Sequence, residues 1–187
     1  MNKLQDLIHK YIYNTRDPLT SYNLAKEYEN IQQYGSALSY YLKAAELADH
    51  PQFEYEVLVR IALVFKHQGG RAHSEVNSLL QAIPLQPDKP EAYYLLADAY
   101  YRKGDHKEAM FILKLGRDKK IKIPLWTDVE FVEYGFDLLE ILVGHFRSQS
   151  GYSTQRIQEI LHKYELKPEH KQQLKDLATE YDLGWPE

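Results

Sequence analysis

The chain has 187 residues, of which 44% are hydrophobic and 27% charged, and its formal net charge is −4. These proportions are ordinary for a chain that buries a core in water, and the modest acidic balance does not favour nucleic acid as a partner. No stretch approaches the roughly 18 apolar residues of a membrane span, and the N-terminal residues lack the apolar run of a secretory signal. Without cysteine there is no disulfide, thiolate nucleophile or cysteine-ligated zinc. We therefore expect a cytoplasmic protein with neither membrane nor nucleic acid as its partner.

The aromatic content and the spacing of apolar residues predict an all-α fold. Tyrosine occurs 16 times, against 6 phenylalanines and 2 tryptophans. A tyrosine ring can fill the seam between two helices while its hydroxyl stays in water, which suits helices packed in a thin layer. The apolar spacing is helical nearly everywhere, and no segment has a clear strand pattern.

The first predicted helix, within residues 1–16, carries its apolar residues on one face and is expected to cap the N-terminal end. These residues are Leu4, Leu7, Ile8, Tyr11 and Ile12. Asp17 and Pro18 then supply an N-cap and a first-turn proline for the second helix. Further along, Pro90 is predicted to start a helix that ends at Gly104, and Asp105 to cap the helix that follows.

Three Leu-Ala or Ile-Ala pairs mark a repeat. Their alanines are Ala25, Ala62 and Ala97, at intervals of 37 and 35 residues, and an aromatic residue follows each by three positions. A small residue lets the two helices of a hairpin approach closely, and the ring fills the space beside that contact. The second helices of two hairpins carry a matching small-large-small set: Ala37, Tyr41 and Ala44, then Ala109, Leu113 and Gly116.

The middle copy departs from this pattern. After Gly69-Gly70 the apolar residues come late, at Val76, Leu79, Leu80 and Ile83. We therefore expect its second helix to start late or to be shifted in register.

The repeat resembles the tetratricopeptide repeat family, whose period is 34 residues. The resemblance implies an all-α, right-handed superhelical solenoid of antiparallel helix hairpins. The predicted boundaries are a capping helix at 1–16, repeat 1 at 17–51, an irregular repeat 2 at 52–87, repeat 3 at 88–124, a degenerate repeat 4 at 125–165 with Phe146 at its ring site and Gly151 at its turn, and a C-terminal capping helix at 166–187.

A narrower resemblance covers about residues 17–161. The runs SYNLAKEYENIQQYGSALSYYLKAAELA and DVEFVEYGFDLLEI look like the repeat region that follows the catalytic domain in bacterial and viral glycosyltransferases. The resemblance implies a noncatalytic scaffold that is the accessory region of such an enzyme, or its partner. Two alternatives stay open: a stand-alone adaptor that binds a peptide, and a structural module that forms homo-oligomers.

The sequence offers no pattern for catalysis, cofactor or metal in this chain. The phosphate-binding loop, dinucleotide, nucleophile-elbow and zinc-protease motifs do not occur. His67 and His73 form the nearest pair of histidines, but they have no acidic companion at ligand spacing. Glu130, Glu133, Asp137 and Glu140 lie on one helical face, which we interpret as a solvated surface. We expect no enzyme activity, cofactor or metal.

The resemblance places ligand binding on a concave wall formed by the first helix of each repeat. The residues expected there are Tyr22, Asn23, Lys26 and Asn30 in the first repeat, Arg60, Leu63 and His67 in the second, and Tyr94, Asp98, Tyr101 and Arg102 in the third. In each Tyr-Tyr pair of the third repeat, Tyr93 or Tyr100 is expected to pack within its hairpin while its neighbour is available to a ligand. The alternative is that Tyr94 and Tyr101 pack against the next repeat.

Some proteins of this family bind the C-terminal carboxylate of chaperone tails through cations on successive inner helices. Here Glu91 and Leu95 occupy two of the positions where cations would be needed. We therefore expect no binding of chaperone tails.

Overall fold

The computed structural model describes residues 3–117, 119, 129–145, 152–164, 166 and 168–185. Within these residues all regular secondary structure is helical, which confirms the predicted all-α class. The chain divides into two compact units, Met1–Pro87 and Asp88–Glu187. The predicted ring site Phe146 and turn Gly151 of the fourth repeat lie outside the described residues.

The first unit is made of five helices. They are α1 (Lys3–Tyr13), α2 (Pro18–Asn30), α3 (Tyr34–Glu46), α4 (Pro51–Gln68) and α5 (Ala72–Leu85). Helices α2 and α3 form one hairpin, and α4 and α5 form another. The cap of α2 is as predicted, because the Asp17 carboxylate accepts hydrogen bonds from the backbone N–H of Leu19 at 3.2 Å and of Thr20 at 3.0 Å.

The small residues of the repeat lie at helix contacts, as predicted. Ala25, Ala62 and Ala97 are all buried, with at most 1% of their surface exposed. The small-large-small set on α3 is buried as well: Ala37, Tyr41 and Ala44 are completely buried. Close helix-to-helix packing at these positions therefore stabilises the hairpins.

Helix α5 shows the register shift that was predicted for the middle copy. On α3 the buried set begins 12 residues after Ala25, at Ala37. On α5 the corresponding set is Glu75, Leu79 and Ala82, which begins 13 residues after Ala62. The shift puts a buried glutamate where the other hairpins have a buried alanine.

The second unit contains α6 (Pro90–Lys103), α7 (His106–Arg117), α8 (Val129–His145), α9 (Tyr152–Lys163) and α10 (Pro168–Glu180). Helix α6 starts at the predicted proline and ends at Gly104, whose φ of 83° is the left-handed conformation that glycine adopts without strain. Helix α7 begins directly after Asp105.

Two packed regions hold the second unit together. Gly116 on α7 lies so close to Tyr93 of α6 and Phe136 of α8 that no Cβ fits there. A separate apolar cluster joins the last helices and consists of Ile141, Leu142, Ile157, Ile160, Leu174, Ala178 and Leu183. Leu174 of α10 is completely buried in this cluster.

The prediction that the acidic face of α8 is solvated is wrong at Asp137. This residue is only 5% exposed, and its carboxylate accepts hydrogen bonds from Arg117 at 2.7 Å, Lys163 at 2.9 Å and the Tyr164 hydroxyl at 2.7 Å. Glu140, one turn along α8, pairs with the same Arg117 at 2.5 Å. These three partners, together with Asp137 and Glu140, make a charge cluster that ties α8 to α7 and to the end of α9.

Candidate functional site

A groove of about 350 Å³ lies between α1 and α2 in the first unit. Its lining comes from Lys3, Asp6, Leu7 and Lys10 on α1 and from Asn23, Lys26 and Asn30 on α2. Three of these residues were expected from the sequence to contact a ligand. The other eight expected residues do not line this groove.

Helical periodicity explains why these side chains share the groove. The residues from α1 occupy positions i, i+3, i+4 and i+7, and those from α2 occupy positions i, i+3 and i+7, so each set forms one stripe. The Lys3 ammonium, in the first turn of α1, lies 2.7 Å from the Glu27 carboxylate in the last turns of α2. Because the short segment 14–17 connects the opposite ends of α1 and α2, the two helices are antiparallel, with Lys3 towards the Asn30 end of the groove and Lys10 towards the Asn23 end.

Most polar groups of the groove are not used inside the protein. Lys3 is engaged by Glu27, and the Lys26 ammonium lies 5.5 Å from the centre of the Tyr22 ring. Among the described residues, the side chains of Lys10, Asn23 and Asn30 make no hydrogen bond or ion pair. These ammonium and amide groups are thus available to a molecule that enters the groove.

Tyr22 is placed differently from the prediction. It is 5% exposed, its ring packs against Tyr41 and Phe53, and its hydroxyl donates a hydrogen bond to the Glu56 carboxylate of α4. Burial of the ring, followed by the hydrogen bond to Glu56, raises the pKa of the Tyr22 hydroxyl well above its usual range. Tyr22 therefore contacts the Lys26 ammonium through its ring and exposes almost no surface to a ligand.

A polar network joins α2 to α4 beside this tyrosine. The Tyr41 hydroxyl donates to the Glu29 carboxylate at 2.5 Å, and the Arg60 guanidinium lies 3.5 Å from the same carboxylate. Burial of the ring, and then the bond to Glu29, raises the pKa of Tyr41. Arg60, expected as a ligand contact, is thus engaged within the unit.

The other two expected residues of the second repeat lie apart from the groove. Leu63 is half-buried on α4. His67 is exposed near the end of α4, and its ring stacks on Tyr34 with centroids 5.6 Å apart and planes 11° apart.

In the second unit the expected tyrosines pack against their own neighbours. Tyr94 meets Phe136 of α8 edge-to-face at 5.6 Å, and Gly135 leaves room for its ring. Tyr101 packs against the apolar cluster of the last helices, and burial together with a hydrogen bond to Tyr181 raises its pKa. Tyr94 and Tyr101 therefore pack against later helices of the chain, which was the alternative to their being available to a ligand.

Asp98 and Arg102 form an ion pair one turn apart on α6, with 3.1 Å between carboxylate oxygen and guanidinium nitrogen. Such pairs are common on helix surfaces and contribute only a few tenths of a kcal/mol.

Sequence reasoning missed the contribution of α1. Lys3, Asp6, Leu7 and Lys10 follow the spacing of one helical face, and this signal was present in the sequence. It was overlooked because the apolar face of the same helix suggested only a cap. In the structure no residue of α1 is fully buried, and several are half-buried.

The described residues hold no group of three histidine, aspartate or glutamate side chains placed to bind a metal ion. Nor does any described helix combine the length and apolar character needed to cross a lipid bilayer.

Comparison with known sequences identifies repeats in two places. A family model described as a tetratricopeptide repeat matches residues 20–50, which contain most of α2 and all of α3. A second, described as a TPR repeat, matches residues 76–104, which contain most of α5 and all of α6. A search of the curated proteins found no match.

Among solved structures, the fold is similar to that of Pseudomonas aeruginosa pilF, with a TM-score of 0.68. The two sequences are 13% identical, and the alignment covers 92% of this chain and 72% of that chain. At this level of identity the likeness concerns the fold and carries no functional residue across. The chain therefore contains tetratricopeptide repeats within an all-α fold built of helical hairpins.

Proposed function

We propose that this chain is a noncatalytic scaffold that binds a peptide segment of a partner protein, and that the peptide lies in the groove between α1 and α2. One observation carries the proposal: the groove collects ammonium and amide groups that make no hydrogen bond or ion pair with other described residues. Polar groups that converge on a concave surface are the usual means by which a binding site orients its ligand.

The dimensions of the groove suit a short peptide. From Asn23 to Asn30, and from Lys3 to Lys10, each helix supplies seven residue steps, or about 10 Å at 1.5 Å per residue. An extended peptide advances about 3.3 Å per residue, so about three residues fit along the groove. Asparagine side chains can donate to and accept from a peptide backbone, which makes the amides of Asn23 and Asn30 suitable contacts.

Selection from a random peptide library against the immobilised full chain would test this function. We expect peptides whose affinity falls at least about fivefold in the double variant Asn23→Ala/Asn30→Ala, because the backbone contacts would be lost. Asn77→Ala, an exposed asparagine on α5, is the matched control and should bind as the wild type does. Failure to select any peptide, or selected peptides that bind the double variant equally well, would reject the proposal.

The association with a glycosyltransferase is a finer proposal, supported by the resemblance of residues 17–161 alone. A sugar-transferase domain encoded in the same reading frame or in an adjacent gene would support it. A neighbourhood of unrelated genes would remove this part of the proposal and leave a stand-alone adaptor.

A further inference from the structure

We infer that the α1–α2 groove takes an acidic peptide segment, recognised through two side-chain carboxylates and not through a chain terminus. This inference rests on the proposed function and names the chemistry of its ligand.

The charge of the groove differs in sign from that of the chain. Three of its seven lining residues are lysines and one, Asp6, is acidic; with Glu27, which pairs with Lys3, the groove keeps a formal charge of about +1, whereas the whole chain carries −4. A local positive groove on an acidic protein attracts anionic segments and leaves the rest of the surface repelling them. An acidic segment would therefore be directed to this groove.

Two of the three lysines are free of acidic partners. Lys3 is neutralised by Glu27, but among the described residues neither Lys10 nor Lys26 has an ion-pair partner. The Lys26 ammonium lies over the Tyr22 ring, and that tyrosine is fixed by its bond to Glu56. The contact with this ring restricts the Lys26 side chain before any ligand arrives, which lowers the entropy cost of binding.

The spacing of the donors selects side-chain carboxylates over a terminal one. Because α1 and α2 are antiparallel, Lys10 and Asn23 lie at one end of the groove, Asn30 lies at the other, and Lys26 lies between them. A single terminal carboxylate cannot reach donors distributed over about 10 Å. In an extended peptide, side chains two residues apart point to the same side and are about 7 Å apart, so two carboxylates can meet Lys10 and Lys26 together.

The probe is a five-residue peptide of alternating glycine and aspartate, acetylated at its N-terminus and amidated at its C-terminus. The full chain, labelled with ¹⁵N, is titrated with it while the side-chain amide resonances of Asn23 and Asn30 are followed. We expect saturable shifts of these resonances, weakened as salt increases. The same peptide with asparagine in place of aspartate should bind at least about tenfold more weakly, because its charge is lost.

Variants of the two lysines locate the binding. Lys10→Ala and Lys26→Met should each raise the dissociation constant about three- to tenfold, and methionine keeps the aliphatic stem that packs on Tyr22. Lys107→Ala, an exposed lysine on α7, is the matched control and should leave the titration unchanged. Equal binding of the asparagine peptide, or unchanged affinity in both lysine variants, would overturn the inference.

The outcome is distinguishable from failure of the proposed function. If the library yields peptides that bind the groove but lack acidic residues, peptide binding stands and the acidic preference falls. If acidic peptides bind only with a free C-terminal carboxylate, the ligand is a chain end and the inference is also wrong.

Discussion

At the scale of single residues, Gly116 shows most directly how the second unit depends on a missing side chain. A Cβ at this position would lie 2.6 Å from the Tyr93 Cβ and 2.8 Å from the Phe136 ring. Because the Tyr93 Cβ is attached to the backbone of α6, the helices must separate to admit it. We expect Gly116→Ala to lower the free energy of unfolding by about 1–3 kcal/mol, measured by urea denaturation.

Gly35→Ala is the control for this prediction, because a Cβ at Gly35 would meet nothing within 4 Å. Gly35 lies in α3, where alanine is the better helix former by up to about 1 kcal/mol. The two identical substitutions should therefore change stability in opposite directions. A Gly116→Ala protein as stable as the wild type would show that α6, α7 and α8 are not in close contact.

Residue-level reasoning from the sequence succeeded where the decision depended on a position along one helix. Asn23, Lys26 and Asn30 share one stripe of α2, because helical periodicity alone determines that stripe, while their contact with a ligand stays a prediction. It failed for Tyr22 and Tyr94. Periodicity predicted that these side chains also point away from their hairpins to a ligand, but in the structure both rings pack against other aromatic side chains. Whether such a ring meets water depends on a further helix, α4 or α8, whose position no local pattern specifies.

At the scale of helices, the charge cluster around Asp137 joins α7, α8 and α9. Burial alone would raise the pKa of Asp137, but the hydrogen bonds from Tyr164 and Lys163 and the charge of Arg117 outweigh it and hold the pKa below its ordinary value. A depressed carboxyl pKa stabilises the folded state above the unfolded pKa of about 3.9, and this stabilisation is lost as the pH falls through the folded pKa.

We therefore expect Asp137→Asn to destabilise the protein by about 1–3 kcal/mol near neutral pH. This loss of stability should be smaller than that caused by breaking a fully buried ion pair, because the Arg117 and Lys163 side chains are 40% and 61% exposed and can reach water. Denaturation curves between pH 7 and pH 2 should show the difference from wild type shrinking below about pH 4. Glu159→Gln, which removes an exposed partner of Arg156, is the control and should change stability little at every pH. A loss of stability in Asp137→Asn that does not depend on pH would contradict the lowered pKa of Asp137.

Helix packing also explains which element-level expectations could be made from sequence. The shift of α5 was predictable because the late apolar residues after Gly69-Gly70 alter the spacing from Ala62, and the buried set does move by one residue. The burial of Asp137 was not predictable, because its partners lie 20 and 26 residues away on α7 and α9. An acidic stripe on a helix has the same spacing whether it meets water or cations.

At the scale of the whole molecule, the two compact units carry different features. The groove belongs entirely to residues of the first unit, whereas the charge cluster belongs entirely to the second. The first unit has a core of its own, including Leu24, Tyr41, Tyr55, Ile61 and Leu79, each at most 2% exposed. A unit of this size is long enough to fold without disulfides or metals.

We therefore predict that a fragment of residues 1–87 folds and keeps the peptide binding of the full chain. Its circular dichroism should be helical, and its dissociation constant for a groove-binding peptide should lie within about threefold of the full chain's, because every lining residue is present. The fragment 88–187 is the control and should not bind the same peptide. A folded 1–87 fragment that does not bind, beside a full chain that does, would place the site elsewhere. If the fragment fails to fold, peptide-dependent protection of amide hydrogens in the full chain gives the same decision, because protection outside α1 and α2 would be incompatible with binding in this groove.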